Sequence, residues 1–448
     1  MHLSVCVLGL LLGLLPGDGD EPIAIINARI LVAGKPDTIA KGTVLVRKGR
    51  IEEVGTDVRV PRNAVLIDAK GGSVMPGLVN ANSRMGFAGG GMPMMPEGMT
   101  RGRRGGQPMP GPSFGGGGTS NAPRNSVLDA LDARQQVFED VLKLGVTTVA
   151  IKPGGSGIPG QGAVVRPVGG SVEAMTVKKN AFLLLGVQAN TSTKDMLKNA
   201  FANGKKEIER KKAEAAARER AAATPPAAEG ASQSAPASRP ASQPAQAPAA
   251  PPAPPPQQQR TDPNLEPIID AIEHRLRVFV DAGSANEAAH FFSAMKDHMA
   301  PFTFLADQGG GTGVHLWAEE LGKAKAKVVI PPQLTTVPLT RVKVNPAREL
   351  LDAGVEVSFG LGSTPNEARR VFFDLLELVR AGLTPDEALH GVTINPSRLL
   401  GVDDRVGSIE KGKDANLILF SGDPLDPTSR MLGVWLEGKR VYEAKVTP

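Results

Sequence analysis

The hydrophobic pattern changes twice along the chain. From Pro22 to Asp68, apolar and polar residues alternate in short runs (IAIINARIL, TVLVRKGRIEEVG, AVLID), and the alternation returns over Asp414–Phe420 and Met431–Val446. A period of two is that of half-buried strands. Between these ends the apolar residues form short continuous runs separated by amphipathic stretches, which predicts strands buried on both faces and covered by helices. Strand-rich ends around a β/α region predict a small β-sandwich assembled from both termini.

Three stretches break the pattern. Ala200–Ala223 is rich in Ala, Lys, Glu and Arg and reads as a solvated helix with many i, i+4 opposite-charge pairs. Thr224–Pro263 is dominated by Pro, Ala, Gln and Ser and holds too little apolar surface to fold, so it reads as a surface linker. Phe87–Gly118 is Gly-, Met- and Pro-rich, with Arg101, Arg103 and Arg104 as its charged patch, and has loop composition. Ahead of the alternating region, Leu3–Leu15 is an apolar run too short for a bilayer, followed by Gly17 and Gly19. Residues 1–19 therefore read as a secretory signal peptide, and the expected location is secreted or periplasmic. The one cysteine, Cys6, lies within it, which leaves the mature chain without disulfide or thiolate chemistry. A net charge of +5 over 448 residues is too dilute for a nucleic-acid partner.

The chemistry-bearing segment is VMPGLVNANSRMG, Val74–Gly86, an apolar run that ends in a polar cluster as a buried strand ends at a site. It resembles the opening barrel strand of the amidohydrolase superfamily, whose signature is Pro-Gly-Leu-(Ile/Val)-Asp-x-His-x-His. Pro76, Gly77, Leu78 and Val79 match; Asn80 stands for the Asp, and Asn82 and Arg84 for the two metal-binding histidines. The segment Ala381–Pro427 also resembles the family, in Thr393-Ile394-Asn395-Pro396, Gly407-Ser408-Ile409 and Gly412-Lys413-Asp414-Ala415. In VEVSFGLGSTPNEARR, aligning Pro365 with the family's proline gives Ser363 the position of the metal-binding Asp, and a one-residue slip would give Gly362. RVFVDAG ends in Asp281-Ala282-Gly283 where a His is usual, and PFTFLADQG gives Asp307-Gln308-Gly309 for Glu-His-Gly. Every ligand position that aligns is substituted.

The resemblance implies an α/β fold, a TIM-like (β/α)8 barrel over residues 74–402 with irregular insertions at about 87–118 and 224–263. The sandwich parts are then residues 20–73 and 403–448. Barrel strands start at Val74, Val146, Ala181, Arg277, Pro301, Lys327 and Val355, with one strand not placed. Active sites of such barrels lie at the C-terminal strand ends, so Asn80, Asn82, Arg84, Asp281, Asp307, Gln308 and Ser363 are expected to converge on one former-site pocket. Family members, including imidazolonepropionase-like hydrolases, use zinc or a similar divalent metal. An amide, a guanidinium and a hydroxyl are poor zinc ligands, so no metal and no other cofactor is expected here. A pair Arg84–Asp281 or Arg84–Asp307 would fill the space.

The leading reading is a non-metal-binding pseudoenzyme with a binding or scaffold role, its partner a small molecule or a protein such as a related active amidohydrolase, with no membrane association beyond the leader. The alternative is a hydrolase of C–N bonds other than peptide bonds, with Arg84 as electrophile and Asp281 or Asp307 as base. A third is an unusual metal site around His315; His2, His274, His290, His298 and His390 read as solvated or packed. Gly155-x-Gly157-x-x-Gly160 does not open a helix, so it reads as a tight glycine loop near the mouth and not as a dinucleotide fingerprint. Limited proteolysis of the folded protein is expected to cut first within residues 87–118 and 224–263. First cuts within Val355–Leu400 would overturn this map.

Overall fold

A computed structural model describes residues 21–34, 38–87, 119–223, 262–295, 301–306, 313–337 and 339–445. The leader, most of both expected insertions, and Asp307, Gln308 and His298 lie outside these residues.

The central sheet has nine strands, eight of them in spatial and chain order: Leu78–Ser83, Val146–Ile151, Ser156–Val165, Thr176–Gly186, Arg277–Asp281, Phe302–Leu305, Lys327–Ile330 and Glu356–Phe359, with the short Thr119–Asn121 pairing in parallel beside Ser156–Val165. It rolls into a TIM-like barrel. Val79, Ala81, Ala150, Val164, Leu184, Phe279, Leu305 and Val329 form one interior cluster, with Leu399 and Leu400 packed into it. Phe182 stacks on Phe279 with ring centroids 4.1 Å apart. Lys178, early in the fourth strand, donates to Gly401 O at 3.0 Å. The segment carrying Leu399 and Leu400 thus plugs the end where strands begin, leaving the opposite end as the mouth.

Two expectations change. The first barrel strand begins at Leu78, because Ser73–Pro76 pairs with Leu417–Phe420 in the other sheet. The glycine segment is not a loop: Ser156–Val165 is the strand left unplaced by the pattern, buried along its whole length and antiparallel to both neighbours in that order. The glycines give room, not phosphate contacts. A Cβ on Gly162 would lie 2.0 Å from the Phe182 ring, and one on Gly160 2.4 Å from Asn125 O. A glycine-rich strand hides from propensity reasoning because glycine is read as a breaker.

The two chain ends share one hydrogen-bonded sheet of eight strands. Its path runs Lys439–Glu443, Met431–Leu436, Leu417–Phe420, Ser73–Pro76, Ile23–Leu31, Thr38–Arg47, Arg50–Gly55, with Val65–Asp68 pairing beside Ile23–Leu31. Trp435 from one end shares a core with Val46 and Ile51 from the other. Ala415 N donates to Gly49 O at 2.8 Å and Ile51 N to Lys413 O at 2.9 Å, which ties the ends together. The Lys- and Glu-rich helix extends over Thr191–Ala223, starting earlier than its composition suggests, and residues 211–220 stand in solvent.

Among the described residues, the barrel ladder pairs each strand with the next but not the eighth with the first. The Asn80 side chain bridges that seam. Its Nδ2 donates to Gly362 O at 2.7 Å, and its Oδ1 accepts from Leu361 N at 3.0 Å and Asn82 N at 3.2 Å. Both amide ends are used at a fully buried position. An ionised Asp could accept from Leu361 but would set a carboxylate against the Gly362 carbonyl. Asn80→Ala should lower stability by about 2 kcal/mol or more through unsatisfied backbone groups, and Asn80→Asp at neutral pH by at least as much. Urea midpoints of the two variants check this; an unchanged Asn80→Ala midpoint would show the seam closed by other means.

Candidate functional site at the barrel mouth

The loop Gly360–Thr364, after the eighth strand, positions one side of the mouth. Thr364 caps the helix Pro365–Arg369 in a capping box with Glu367. The same Glu367 carboxylate accepts from Ser363 N at 2.9 Å and Thr364 N at 3.0 Å, fixing the loop's backbone. Gly362 holds a positive φ of 80°, and a Cβ there would meet Glu367 Oε2 at 2.4 Å. Ser363 is therefore held by its own main chain. Its Oγ accepts from Arg84 N at 2.9 Å and stands 3.4 Å from Ser83 Oγ.

Asn82 is buried and lies beside Gly360, where an added Cβ would stand 3.3 Å from the Asn82 Cβ. Arg84 is exposed, just past the first strand. Asp281 ends the fifth strand and faces inward, since it is in register with Gly186 and the interior Leu305. Asn80, Asn82, Arg84 and Ser363 gather where the first strand meets the eighth, and Asp281 sits across the mouth. Asp307 and Gln308 fall outside the described residues.

The residue the sequence reading missed is Lys152. It follows the apolar second strand, its N–H donating to Ser83 O at 2.9 Å, and its Nζ lies 2.7 Å from Asp281 Oδ2. The Lys152 side chain is 3% exposed and that of Asp281 25%. This pair corrects the expected Arg84–Asp281 bridge: Asp281 takes the buried lysine, while Arg84 makes no ion pair among the described residues. Geometry explains the choice, because Lys152 follows the inward-facing Ala150 by two residues on a flat ladder, whereas Arg84 lies beyond the register shift between Asn80 and Ser83. The available signal was a lone lysine between a fully buried strand and Pro153.

Among the described residues the mouth offers few donors of the kind a divalent metal takes. Asn82 and Ser363 offer neutral oxygens, and Asp281 is already bound to an ammonium. Among the described residues no three His, Cys, Asp or Glu side chains group closely enough to hold an ion. His315 lies in the turn Val314–Trp317 after the sixth strand, and His290 in the helix Ala285–Met295.

Comparison with known proteins places the fold. The model of the Amidohydrolase family matches residues 252–441. Imidazolonepropionase of Geobacillus sp. (strain WCH70) is 31% identical over 141 residues, 31% of this chain and 30% of that protein. N-substituted formamide deformylase of Arthrobacter pascens is 34% identical over 119 residues, 23% of this chain and 22% of that protein. The chain thus spans less than a third of the length of these two curated relatives. An amidohydrolase from Thermotoga maritima MSB8 superposes with a TM-score of 0.69 at 22% identity, covering 94% of this chain and 100% of that one. β-Aspartyl dipeptidase of Fervidobacterium islandicum AW-1 gives a TM-score of 0.53 at 15% identity, covering 95% and 97%. With the family match at the C-terminal half, the related sequences and the fold in agreement, the chain is a member of the amidohydrolase superfamily.

Proposed function

We propose that this amidohydrolase is catalytically degenerate: its barrel mouth binds a ligand and does not carry out metal-assisted hydrolysis. The observation that carries the reading is the Lys152–Asp281 pair, 2.7 Å long with the lysine buried, set at the end of the barrel where an amidohydrolase works. A catalytic zinc needs about three protein ligands of imidazole, thiolate or carboxylate type and an open position. Here a fixed ammonium repels a dication and engages the inward carboxylate.

A second reading, metal-free hydrolysis of C–N bonds other than peptide bonds, is favoured by the same cation. Lys152, and not Arg84, would then stabilise an oxyanion. It requires that Asp281 leave Lys152 to take a proton from water.

Purified protein, dialysed without chelator, should hold far less than one zinc, nickel or manganese ion per chain by elemental analysis. Near one equivalent, with a hydrolase activity lost on chelation, would refute the degenerate reading. Rebuilding the ligands by Asn82→His, Arg84→His, Gln308→His and Ser363→Asp should restore little zinc affinity while Lys152 remains. Adding Lys152→Gln should raise it by at least about tenfold, since the ammonium no longer opposes the ion. Equal affinity with and without Lys152 would show that the pair does not occupy the metal's place.

A further inference from the structure

Lys152 is an ammonium with three donors, at a side-chain exposure of 3%. One donor goes to Asp281; the other two have no acceptor among the described residues. Buried polar groups are rarely left so, because an unmade bond to a buried charge forfeits its compensation for lost hydration. The surroundings carry the same surplus. Ser363 Oγ accepts from Arg84 N and retains its own proton to donate, and the exposed Arg84 guanidinium makes no ion pair among the described residues. Among the described residues Asp281 is the one carboxylate paired with Lys152, while Glu367 is spent on Ser363 N and Thr364 N.

We propose that the barrel mouth binds a small carboxylate, whose oxygens accept from the two unspent donors of Lys152, with Ser363 and Arg84 on the rim side. Asp281 is the internal stand-in: it holds Lys152 when no ligand is present and competes with the ligand for it. Being one-quarter exposed, Asp281 is the side from which a ligand reaches the pair. The inference rests on the metal-free reading, since a metal at this position would itself take the carboxylate.

Titration calorimetry with propionate and succinate, and with propionamide as the neutral control, tests it. Wild-type protein should bind a carboxylate with Kd below about 1 mM and should not bind the amide. Asp281→Asn, which removes the competitor and keeps the shape, should tighten binding about tenfold. Lys152→Met should abolish it. Because Lys152→Met strands Asp281, the double variant Lys152→Met/Asp281→Leu removes both charges and keeps a folded reference by its thermal midpoint; it too should not bind. Failure of both wild type and Asp281→Asn to bind either carboxylate, or binding retained in the folded double variant, overturns the inference. Stoichiometric metal in the purified protein instead overturns the underlying reading, whatever the anions do.

Discussion

A charge withdrawn from water must meet its opposite, and at this barrel mouth Lys152 meets Asp281 across two intervening strands. The attraction offsets the desolvation of both groups, so the pair's net contribution to stability is small, but removing either partner alone leaves a charge stranded at a cost of about 3–5 kcal/mol. The value of the pair is thus in what it fixes. It sets the side chains of the second and fifth strands against each other and fills the space between them with a cation. Every chemical option at the mouth is judged against that cation.

The other half of the mouth is organised by main chain. Glu367 accepts from Ser363 N and Thr364 N, so the loop after the eighth strand is held by a helix cap and does not depend on a ligand. Asn80 then carries the loop to the first strand. The substitutions at Asn80 and Ser363 share a logic: Asn80 needs a donor toward Gly362 O, which a carboxylate lacks, and Ser363 needs an acceptor for Arg84 N, which its hydroxyl supplies. The family's acids would change the charge at both points. Hydrogen-bonded neutral groups hold this seam.

The framework was legible because its motifs are local. Pro76-Gly77-Leu78-Val79 marks the strand entry, and alternation at Ile23–Leu31 and Met431–Leu436 strands at both ends. What was not legible depends on contacts between distant segments. Ser156–Val165 is a strand because Phe182 and the backbone at Asn125 need the space its glycines leave, and no propensity reports that. Asp281 was singled out, but its partner was assigned to the cation nearest the signature, Arg84, when the ladder placed Lys152 inward. A charge at a strand end takes its meaning from which face it is on, and a one-residue register shift reverses the face.

That sensitivity explains why the first strand is irregular where it matters. Between Asn80 and Ser83 the pairing with the second strand shifts. Asn80 reaches the loop of the eighth strand, Asn82 packs on Gly360, and Ser83 O remains to accept from Lys152 N. The irregularity lets one short segment close the barrel and anchor the backbone of the lysine that now occupies its end. Restoring histidines at Asn82 and Arg84 would therefore change ligands on a segment whose backbone remains committed to holding Lys152.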